Sequence, residues 1–536
     1  MISSLKKVKK EVGSLPFTPR LLTLYIFISL GALNFGFDNG WWACVLPLEA
    51  FIDYYAPPGS TSIPSSWQST GSGTANAGLV IGCLIAGVCG RRLGRKWSIV
   101  LLVVIALVGM VIQNAIQSYW AVMAGRMVNA ISMGIEANVI PSYMAELAPP
   151  AIRGTLVSLY QFWQFIGVLL ATCTVFGSRN AFTATDSAHW AFRTVMVVQV
   201  FIPILLLVAV FFFPESPRWL LQRNRREEAR KALLYIRAGA KNELDIDTEL
   251  SLLESAIDEQ RTYHRATSYK DCFVGSNGRR TFIVSATQVL QQLQGNSFFS
   301  SYSVIYMAQL GIQDPLQAQM GRVACGLGGV LIGIVLTDRL GRRPLMLACS
   351  IGNWITLWLS SGLAAWGPQS QAIVQVNLAC VLLWMVFNSL GWGACVWIVT
   401  SEIPTLQLRE RTISIATSCS FLAVLVISYV NPFVQSEPGN LGSKVGFVYG
   451  SFSVIAVAFI WFCLPEASGR SFEELDEMFQ AGVSAWRFRG YTTVGVGARI
   501  TEIQGVGVKE GEEGEGGAKK IDGDEEVVAV QGGVSK

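Results

Sequence analysis

The residue that is least expected in its surroundings is Asp38, within the stretch LNFGFDNG at 33–40. It is the only charged residue between Leu21 and Leu46, a segment that is otherwise apolar enough to cross a membrane. An ionised carboxylate inside a bilayer costs at least about 2.5–3.5 kcal/mol, so Asp38 must be paired with a cation, protonated or hydrated. Asp38 is therefore a candidate for binding and releasing a proton.

Two further charged residues lie in one later apolar segment. Arg126 is the natural partner for Asp38, and Glu136 follows ten residues after Arg126 on the same predicted helix. Desolvation and a nearby guanidinium act on a carboxylate in opposite directions, which is what a poised proton switch requires. Glu136 has two interpretations: a second group in proton coupling, or a polar lining of a water-filled cavity.

Side-chain amides recur at helical spacing in two other segments. Gln161 and Gln164 are three residues apart, and Gln292 and Asn296 are four residues apart, with Gln291 beside them. Residues at these spacings share one face of a helix. Amides both donate and accept hydrogen bonds, so a row of them can bind a polar ligand. The alternative is that they bridge helices inside the membrane.

Residues for enzymatic chemistry are scarce. The chain has two histidines, His189 and His264, and shows no nucleophile motif and no cluster with metal-ligand spacing. Nothing resembles a catalytic constellation, so the sequence disfavours an enzyme and predicts no metal or cofactor. The formal net charge of +4 is explained by membrane topology and does not call for nucleic acid.

The elements that must position these residues are membrane helices. Hydrophobic residues make up 51% of the 536 residues, charged residues only 15%, and the mean hydropathy is +0.43. This composition indicates a polytopic membrane protein. Apolar windows long enough to span a bilayer predict twelve helices. They are 21–46, 73–90, 97–116, 119–144, 155–178, 192–213, 282–309, 318–337, 344–366, 374–400, 411–434 and 446–464.

Basic residues predict the orientation of these helices. No Lys or Arg occurs between Leu21 and Gly90, whereas Lys and Arg precede the first span and recur after later ones. By the positive-inside rule, both termini are cytoplasmic and the loop 47–72 is external. We expect a multi-pass protein that lies in the lipid bilayer. We also expect it to be located in the plasma membrane and to function as a monomer.

The predicted helices form two six-helix bundles, at 21–213 and 282–464. A polar segment at 214–281 is predicted to be a cytoplasmic linker with short helices, because it mixes good helix formers with both charge signs. The tail is rich in Gly, Glu, Lys and Val, which predicts disorder. The segments outside the bundles are the cytoplasmic start 1–20, a cytoplasmic amphipathic helix at 465–489 and the tail 490–536.

The two predicted bundles carry the same motifs in the same order. A basic loop at 91–96 returns at 338–343, a Glu followed by Arg seven residues later returns after the fourth and tenth spans, and Pro-Glu ends the sixth and twelfth spans. The offsets are all close to 250 residues. The chain is therefore a duplicated six-helix unit.

With these motifs the chain resembles the sugar porter family of the major facilitator superfamily, from about residue 21 to about 490. The resemblance implies the major facilitator fold, an all-α membrane protein of twelve helices in two pseudo-symmetric bundles. Two local stretches, at 295–303 and 402–412, look more like fungal α-glucoside and disaccharide permeases. The motifs are FGFD at 35–38, GR at 125–126, PSYMAELAP at 141–149, RG at 153–154, PESPRWL at 214–220, QQLQG at 291–295, DRLGRR at 338–343 and PEASGR at 465–470.

The resemblance also implies roles for individual residues. Asp38 matches the acid of proton-coupled members, and Arg126 matches its basic partner. Gln161, Gln291 and Gln292 match the positions that hydrogen-bond sugar, and Trp397 matches an aromatic floor beneath it. The full predicted binding set is Gln161, Gln164, Gln291, Gln292, Asn296, Ser297 and Trp397.

Charged residues at the predicted cytoplasmic helix ends form a candidate gate, in which ion pairs hold the inward side shut and break on opening. Arg91 replaces the Asp of the family in the first bundle, which either weakens that half of the gate or is a surface variation without consequence. The candidate gating residues are Arg92, Glu146, Arg153, Glu215, Asp338, Arg339, Glu402, Arg409, Glu466 and Arg470.

Two departures from the family pattern concern the ligand. Ser297 stands where the family has Asn, and Ser420-Phe421 replaces an Asn-Trp pair, so the substrate need not be a plain hexose. We predict a proton-coupled importer of a mono- or disaccharide that works by alternating access. The alternatives are a carrier or exporter of another polyhydroxylated or acidic small molecule, and a non-transporting nutrient sensor. A sensor is expected to carry a long signalling tail, which the short tail here argues against.

Overall fold

The computed structural model describes residues 19–60, 62–147, 153–183, 187–236, 246–247, 250–251, 253–254, 257, 268–366, 370–405, 407–468, 470 and 472–491. Within these residues every regular element is a helix. Twelve of the helices are long, and we number them α1 to α12. Those of the first half are α1 Pro19–Val45, α2 Ser65–Arg92, α3 Gly94–Ala115, α4 Tyr119–Leu147, α5 Arg153–Ala181 and α6 Trp190–Val210.

Two of the six long helices in the second half are interrupted by a wide helical turn. Helix α7 runs through Gly275–Gln291 and Ser297–Gln309 around the turn Gln292–Asn296, and α10 runs through Gln371–Phe387 and Ala394–Glu402 around the turn Asn388–Gly393. The others are α8 Pro315–Leu340, α9 Arg342–Trp366, α11 Arg409–Gln435 and α12 Val445–Phe462. The twelve predicted spans correspond one to one with these helices, and eight of the helices in the described chain are long and apolar enough to cross a membrane.

The helix ends lie on two sides of the molecule. We call the side with the start of α1 and the segment after α6 the linker side, and the side with residues 46–64 the loop side. Short helices at Pro217–Gln222 and Arg226–Ile236 follow α6 on the linker side. After α12, a short helix at Phe472–Gln480 docks there through an ion pair of 2.5 Å between Arg280 and Asp476.

Close approach of α1 and α5 depends on glycine. A Cβ atom at Gly36 would overlap the backbone carbonyl of Gln164, and one at Gly167 would overlap the carbonyl of Leu33. Only a residue without a side chain allows two helices to pack this closely in a membrane. This packing fixes the position of Asp38, two residues after Gly36, relative to α5.

Apolar packing joins the two bundles on the loop side. One continuous buried cluster contains Trp41 from the first bundle and Phe298 and Trp384 from the second. Toward the linker side, the buried residues form separate clusters, one around Met144 and another around Val399. The described part of the chain is therefore closed between the bundles on the loop side.

Polar contacts between the bundles follow the same distribution. In the described residues, the side chain of Asn76 donates to Ser428 Oγ at 2.8 Å, Ser300 donates to Asn39 at 3.4 Å, and Arg179 pairs with Asp314 at 3.1 Å. Asn39, Arg179 and Asp314 lie near the loop-side ends of their helices. Opening of the loop side must therefore break these contacts.

Candidate functional site

The predicted amides of α7 form a connected network at its wide turn. Gln291 Nε2 donates to the carbonyl of Trp392 at 2.9 Å, Gln292 Nε2 donates to Gln291 Oε1 at 3.3 Å, and Asn296 Nδ2 donates to Gln292 Oε1 at 3.2 Å. Gly295, at φ +107°, adopts a backbone conformation that favours glycine and so permits the turn. At this turn three amides, those of Gln291, Gln292 and Asn296, are joined in one chain of hydrogen bonds.

Two residues outside the predicted set complete this network. Asn388 of α10 donates to Asn296 Oδ1 at 3.2 Å, and Ser420 of α11 lies 3.3 Å from Gln292 Nε2, from which it accepts. An amide in the apolar run of α10 is a signal that sequence analysis could have used for Asn388. Ser420, first noted only as a departure from the family pattern, is part of the site.

The amides of α5 lie in the other bundle. Gln161 and Gln164 are both half-buried. Gln161 makes no hydrogen bond to the described residues, so its amide is available to a ligand. No hydrogen bond in the described structure joins these two amides to the α7 network, which lies across the bundle interface.

Two of the predicted binding residues, Ser297 and Trp397, do not take part in the amide network. Ser297 is buried and lies 3.5 Å from both Ser428 Oγ and the carbonyl of Val424, so it links α7 to α11. Trp397 is 46% exposed and makes no hydrogen bond to the amides within the described chain. The aromatic surface beside the amide turn belongs to two other residues. Phe299 and Trp384 stack with ring centroids 4.1 Å apart, and both lie against Gly295.

Asp38 is buried, and neutral amides hold both carboxylate oxygens. Asn129 Nδ2 of α4 donates to Oδ2 at 2.9 Å, and Gln199 Nε2 of α6 donates to Oδ1. Because an amide side chain has a donor end and an acceptor end, Gln199 can stabilise the ionised or the protonated carboxyl after rotation. Neither Asn129 nor Gln199 was in the predicted set.

Arg126 does not form the predicted ion pair with Asp38 in this structure. Its guanidinium lies over the indole of Trp42, 3.9 Å from the ring centroid, and Nη1 donates to the carbonyl of Gly71 at 3.1 Å. A cation on the face of Trp is attracted by the ring quadrupole. In this structure the partner of Arg126 is therefore Trp42, where the sequence predicted the Asp38 carboxylate.

Glu136 is fully buried one layer closer to the linker side. Asn34 Nδ2, one turn before Asp38 on α1, donates to Glu136 Oε2 at 3.1 Å. The other oxygen, Oε1, has no hydrogen-bond partner in the described structure. Two carboxylates on facing helices are thus both held by amides.

A cavity connects Asp38 and Arg126 with the second bundle. It lies between α1, α2, α4 and α7, at the level where Ser300 follows the amide turn by one helical turn. Its polar lining consists mainly of Asp38, Asn39, Arg126, Asn129, Ser300 and Ser301. The candidate proton group and the candidate ligand helix therefore share one space.

In the first bundle, the linker-side ion pair contains an arginine that was not in the predicted set. Arg95 pairs with Glu146 at 2.6 Å, and Ser216 Oγ also donates to this carboxylate. Arg92 is exposed at the end of α2. The chain reverses at Gly94, with φ +87°, which directs Arg95 toward α4 and leaves Arg92 outside.

The second bundle repeats this arrangement. Arg342 pairs with Glu402 at 3.2 Å, whereas Arg339 is exposed. The correspondence between Arg95 and Arg342 follows the internal repeat. Both ion pairs join helices within one bundle, so the described chain has no ion pair across the linker side.

The remaining predicted gating residues that carry a positive charge, together with Asp338, have different surroundings. Arg409 begins α11 and is half-buried. Arg470 pairs with Glu474 at 3.1 Å and donates to carbonyls near the end of the described chain, so it organises the terminal segment. The side chains of Arg153 and Asp338 lie outside the described residues.

Glu215 and Glu466 are helix caps. Glu215 accepts from the backbone N–H of Arg95 at 2.8 Å, at the start of α3, and Glu466 accepts from the backbone N–H of Arg343 at 2.9 Å, at the start of α9. A carboxylate is stabilising at a helix N-terminus. Burial raises the pKa of the Glu215 carboxyl, and the backbone N–H donors that it accepts from oppose this rise.

Comparison with known proteins shows the family and the fold of the chain. A family model described as "Sugar (and other) transporter" matches residues 24–479. The chain belongs to this transporter family. It is therefore a multi-pass membrane protein of a transporter family rather than an enzyme.

Fungal members of the transporter family are among the relatives of this chain. "Probable glucose transporter rco-3" of Neurospora crassa is 30% identical over 487 residues, which cover 87% of this chain and 80% of that protein. "High-affinity glucose transporter ght2" of Schizosaccharomyces pombe is 26% identical over 479 residues, covering 87% and 88%. The alignments span both bundles, so the likeness is not confined to one motif.

A solved structure has the same fold. The inward open conformation of the xylose transporter XylE from E. coli superposes with a TM-score of 0.70 at 24% identity, covering 85% of this chain and 99% of that chain. At this identity the likeness establishes the fold alone. The transporter-family chain thus has the major facilitator fold, as the sequence predicted.

Proposed function

We propose that this member of the transporter family is a proton-coupled sugar importer that works by alternating access. The linker side is cytoplasmic, the loop side faces outward from the plasma membrane, and one chain is the functional unit. Lys and Arg flank the linker-side helix ends, as the positive-inside rule requires for this orientation. The closed loop side makes the described conformation an inward-facing one.

The amide network of α7 and α10 is the sugar site of this proposal. The amides that would contact the sugar are those of Gln291, Gln292, Asn296 and Asn388. Each already bonds to another amide or to a carbonyl, so a sugar hydroxyl can take the place of that partner one for one. Gln161, which has no partner in the described chain, contributes from the opposite bundle. The Phe299 ring and its stacked partner provide the apolar surface that the C–H face of a sugar needs.

One observation carries the proton coupling: Asp38 is buried with neutral amides on both oxygens and no cation in contact. The interior of the described first bundle contains two buried carboxylates, Asp38 and Glu136, and one guanidinium, Arg126. One bound proton makes this set neutral, which favours protonation in a low-dielectric interior. We assign the exchanging proton to Asp38, because Asp38 lines the cavity that reaches α7.

The coupling follows from the position of Asp38 in the wall of the cavity that reaches α7 of the second bundle. A proton that enters from the loop side neutralises Asp38 and removes the cost of burying it, so the bundles can close over proton and sugar together. Release of the proton toward the cytoplasm restores the charge. Glu136, one layer deeper and with a free oxygen, is the acceptor on that route.

The test is uptake of labelled mono- and disaccharides by yeast cells that lack their own sugar transporters, with the external pH recorded. We expect at least one sugar to accumulate above its external concentration and to make the medium more alkaline as it enters. A protonophore should abolish accumulation but leave equilibration, and cells with empty vector provide the baseline. Equilibration without any pH change would contradict the coupling, and no uptake of any sugar at normal surface level would contradict transport.

A further inference from the structure

Arg322 is a buried guanidinium that lies in the barrier closing the loop side. It is on α8, and only 5% of its surface is exposed. No carboxylate of the described chain lies within ion-pair distance of it. Arginine remains charged in proteins, so this charge has no counter-ion. Such residues inside a membrane are rare and usually mark a ligand or ion site.

The hydrogen bonds of Arg322 leave most of its donors without acceptors. Nε donates to Gln319 Oε1 at 2.9 Å, and Nη1 contacts the sulfur of Met385 at 3.1 Å, a weak acceptor. The remaining contact is the ring of Phe299, whose centroid lies 5.8 Å from the guanidinium carbon. A guanidinium has five N–H donors, and its planar fork fits the two oxygens of a carboxylate.

The guanidinium of Arg322 lies next to the proposed sugar site. Met385 lies one turn before Asn388 on α10, and Phe299 lies one turn after Asn296 on α7. Both residues that contact Arg322 are therefore one helical turn from members of the amide network, on the loop side of it.

Helix α5 approaches the same point from the first bundle. A Cβ atom at Gly326, one turn after Arg322 on α8, would meet the ring of Phe165. Phe165 lies one turn after Gln161, the amide without a partner. Arg322 is thus a cation on the loop side of the α7 and α10 amides, at the point where α8 packs against the α5 helix that carries Gln161.

We propose that Arg322 binds the carboxylate of a sugar acid, with the ring hydroxyls held by the amide network. The substrate class is a polyhydroxylated monocarboxylate such as a hexuronic acid. This inference rests on the proposed function, because it takes the amide network as the sugar site. The carboxylate supplies the counter-ion that the described part of the chain does not supply.

The test compares D-glucose with D-glucuronate, which has the same ring and a carboxylate at C6. Uptake of labelled D-glucose is measured against increasing unlabelled D-glucuronate in cells that express wild type, Arg322→Gln or Arg193→Gln at matched surface levels. Arg193, at the loop-side start of α6, contacts Tyr54 and is the control for general attraction of anions. We expect D-glucuronate to compete in wild type and in Arg193→Gln. In Arg322→Gln, the inhibitory concentration of D-glucuronate should rise about tenfold or more, and by a larger factor than the KM for glucose.

The outcomes separate this inference from the proposed function. Glucose uptake that D-glucuronate leaves unaffected in wild type contradicts the carboxylate site alone, as does an equal loss of both ligands in Arg322→Gln. No uptake of any sugar contradicts the proposed function. If Arg322→Gln does not reach the surface, thermal unfolding of purified wild type decides: D-glucuronate should raise the midpoint, and no rise at saturating concentration overturns the inference.

Discussion

Asp38 and Arg126 line the same cavity, yet each has a different partner. The carboxylate accepts from the amides of Asn129 and Gln199, and the guanidinium lies on Trp42. A direct ion pair would require the guanidinium of Arg126 to move from the indole toward Asp38. We infer that such a pair, which the sequence predicted, belongs to another step of the transport cycle.

The variant Asp38→Asn tests the coupling role directly. Asn keeps the size of the side chain and can still bond to both amides, but it cannot take up or release a proton. We expect exchange of labelled sugar across proteoliposome membranes to persist, and accumulation driven by a pH gradient to fall to the level of empty liposomes. Asp38→Glu, which keeps the acid, should retain part of the accumulation. Unchanged accumulation in Asp38→Asn would move the coupling group elsewhere.

The variant Gln292→Ala tests the amide network. Its side chain joins Gln291, Asn296 and Ser420, and each hydrogen bond lost to a sugar contributes about 0.5–1.5 kcal/mol. We expect the apparent KM for sugar to rise about threefold to tenfold at normal surface level. Gln288→Ala is the matched control, since Gln288 lies one turn earlier on the same helix and donates to Thr400 instead. Equal changes in the two variants would place the ligand outside the network.

The helices and the α7 amides could be predicted because their signals are local. Hydropathy over about 20 residues gives the spans, and Gln292 and Asn296 share a helix face by spacing alone. Asn388 and Ser420 come from helices distant in sequence, and nothing near them in the chain indicates that they meet α7. The amide partners of Asp38 were missed for the same reason.

At two places the structure brings together a different residue from the predicted one, because a local detail decides between similar neighbours. Trp397 was taken from the family resemblance, but the indole that packs against the amide turn is that of Trp384, on the other side of the α10 interruption. Arg92 was chosen from the basic loop, but the reversal at Gly94 turns Arg95 toward α4. The direction of a side chain depends on where a helix ends, and a basic loop does not reveal that.

The ion pair of Arg95 with Glu146 makes a prediction that separates neighbouring arginines. Both side chains are mostly buried, and removal of one partner leaves the other charge partly desolvated. We expect Arg95→Ala to lower the free energy of unfolding by about 1–3 kcal/mol, which thermal unfolding of the purified protein in detergent detects. Arg92→Ala, at an exposed position in the same loop, should stay within about 0.5 kcal/mol of wild type.

A double-mutant cycle checks the pairing. Glu146→Gln combined with Arg95→Ala should cost less than the sum of the two single variants, because each single variant already breaks the same contact. Additive losses, or an equal loss in Arg92→Ala, would show that Glu146 is not the partner that matters for stability.

The contact between α1 and α5 gives the last prediction. In Gly36→Ala the new methyl group would overlap the carbonyl of Gln164, a backbone atom that cannot rotate away, so the two helices must separate. This separation moves Asp38 away from its amide donors. It also displaces the two α5 amides as a unit. We expect loss of transport and a lower unfolding temperature. Gly87→Ala on α2 is the control, because a Cβ atom there meets nothing within 4 Å. Full transport by Gly36→Ala, measured at a surface level equal to that of Gly87→Ala, would show that this close packing does not position the carboxylate.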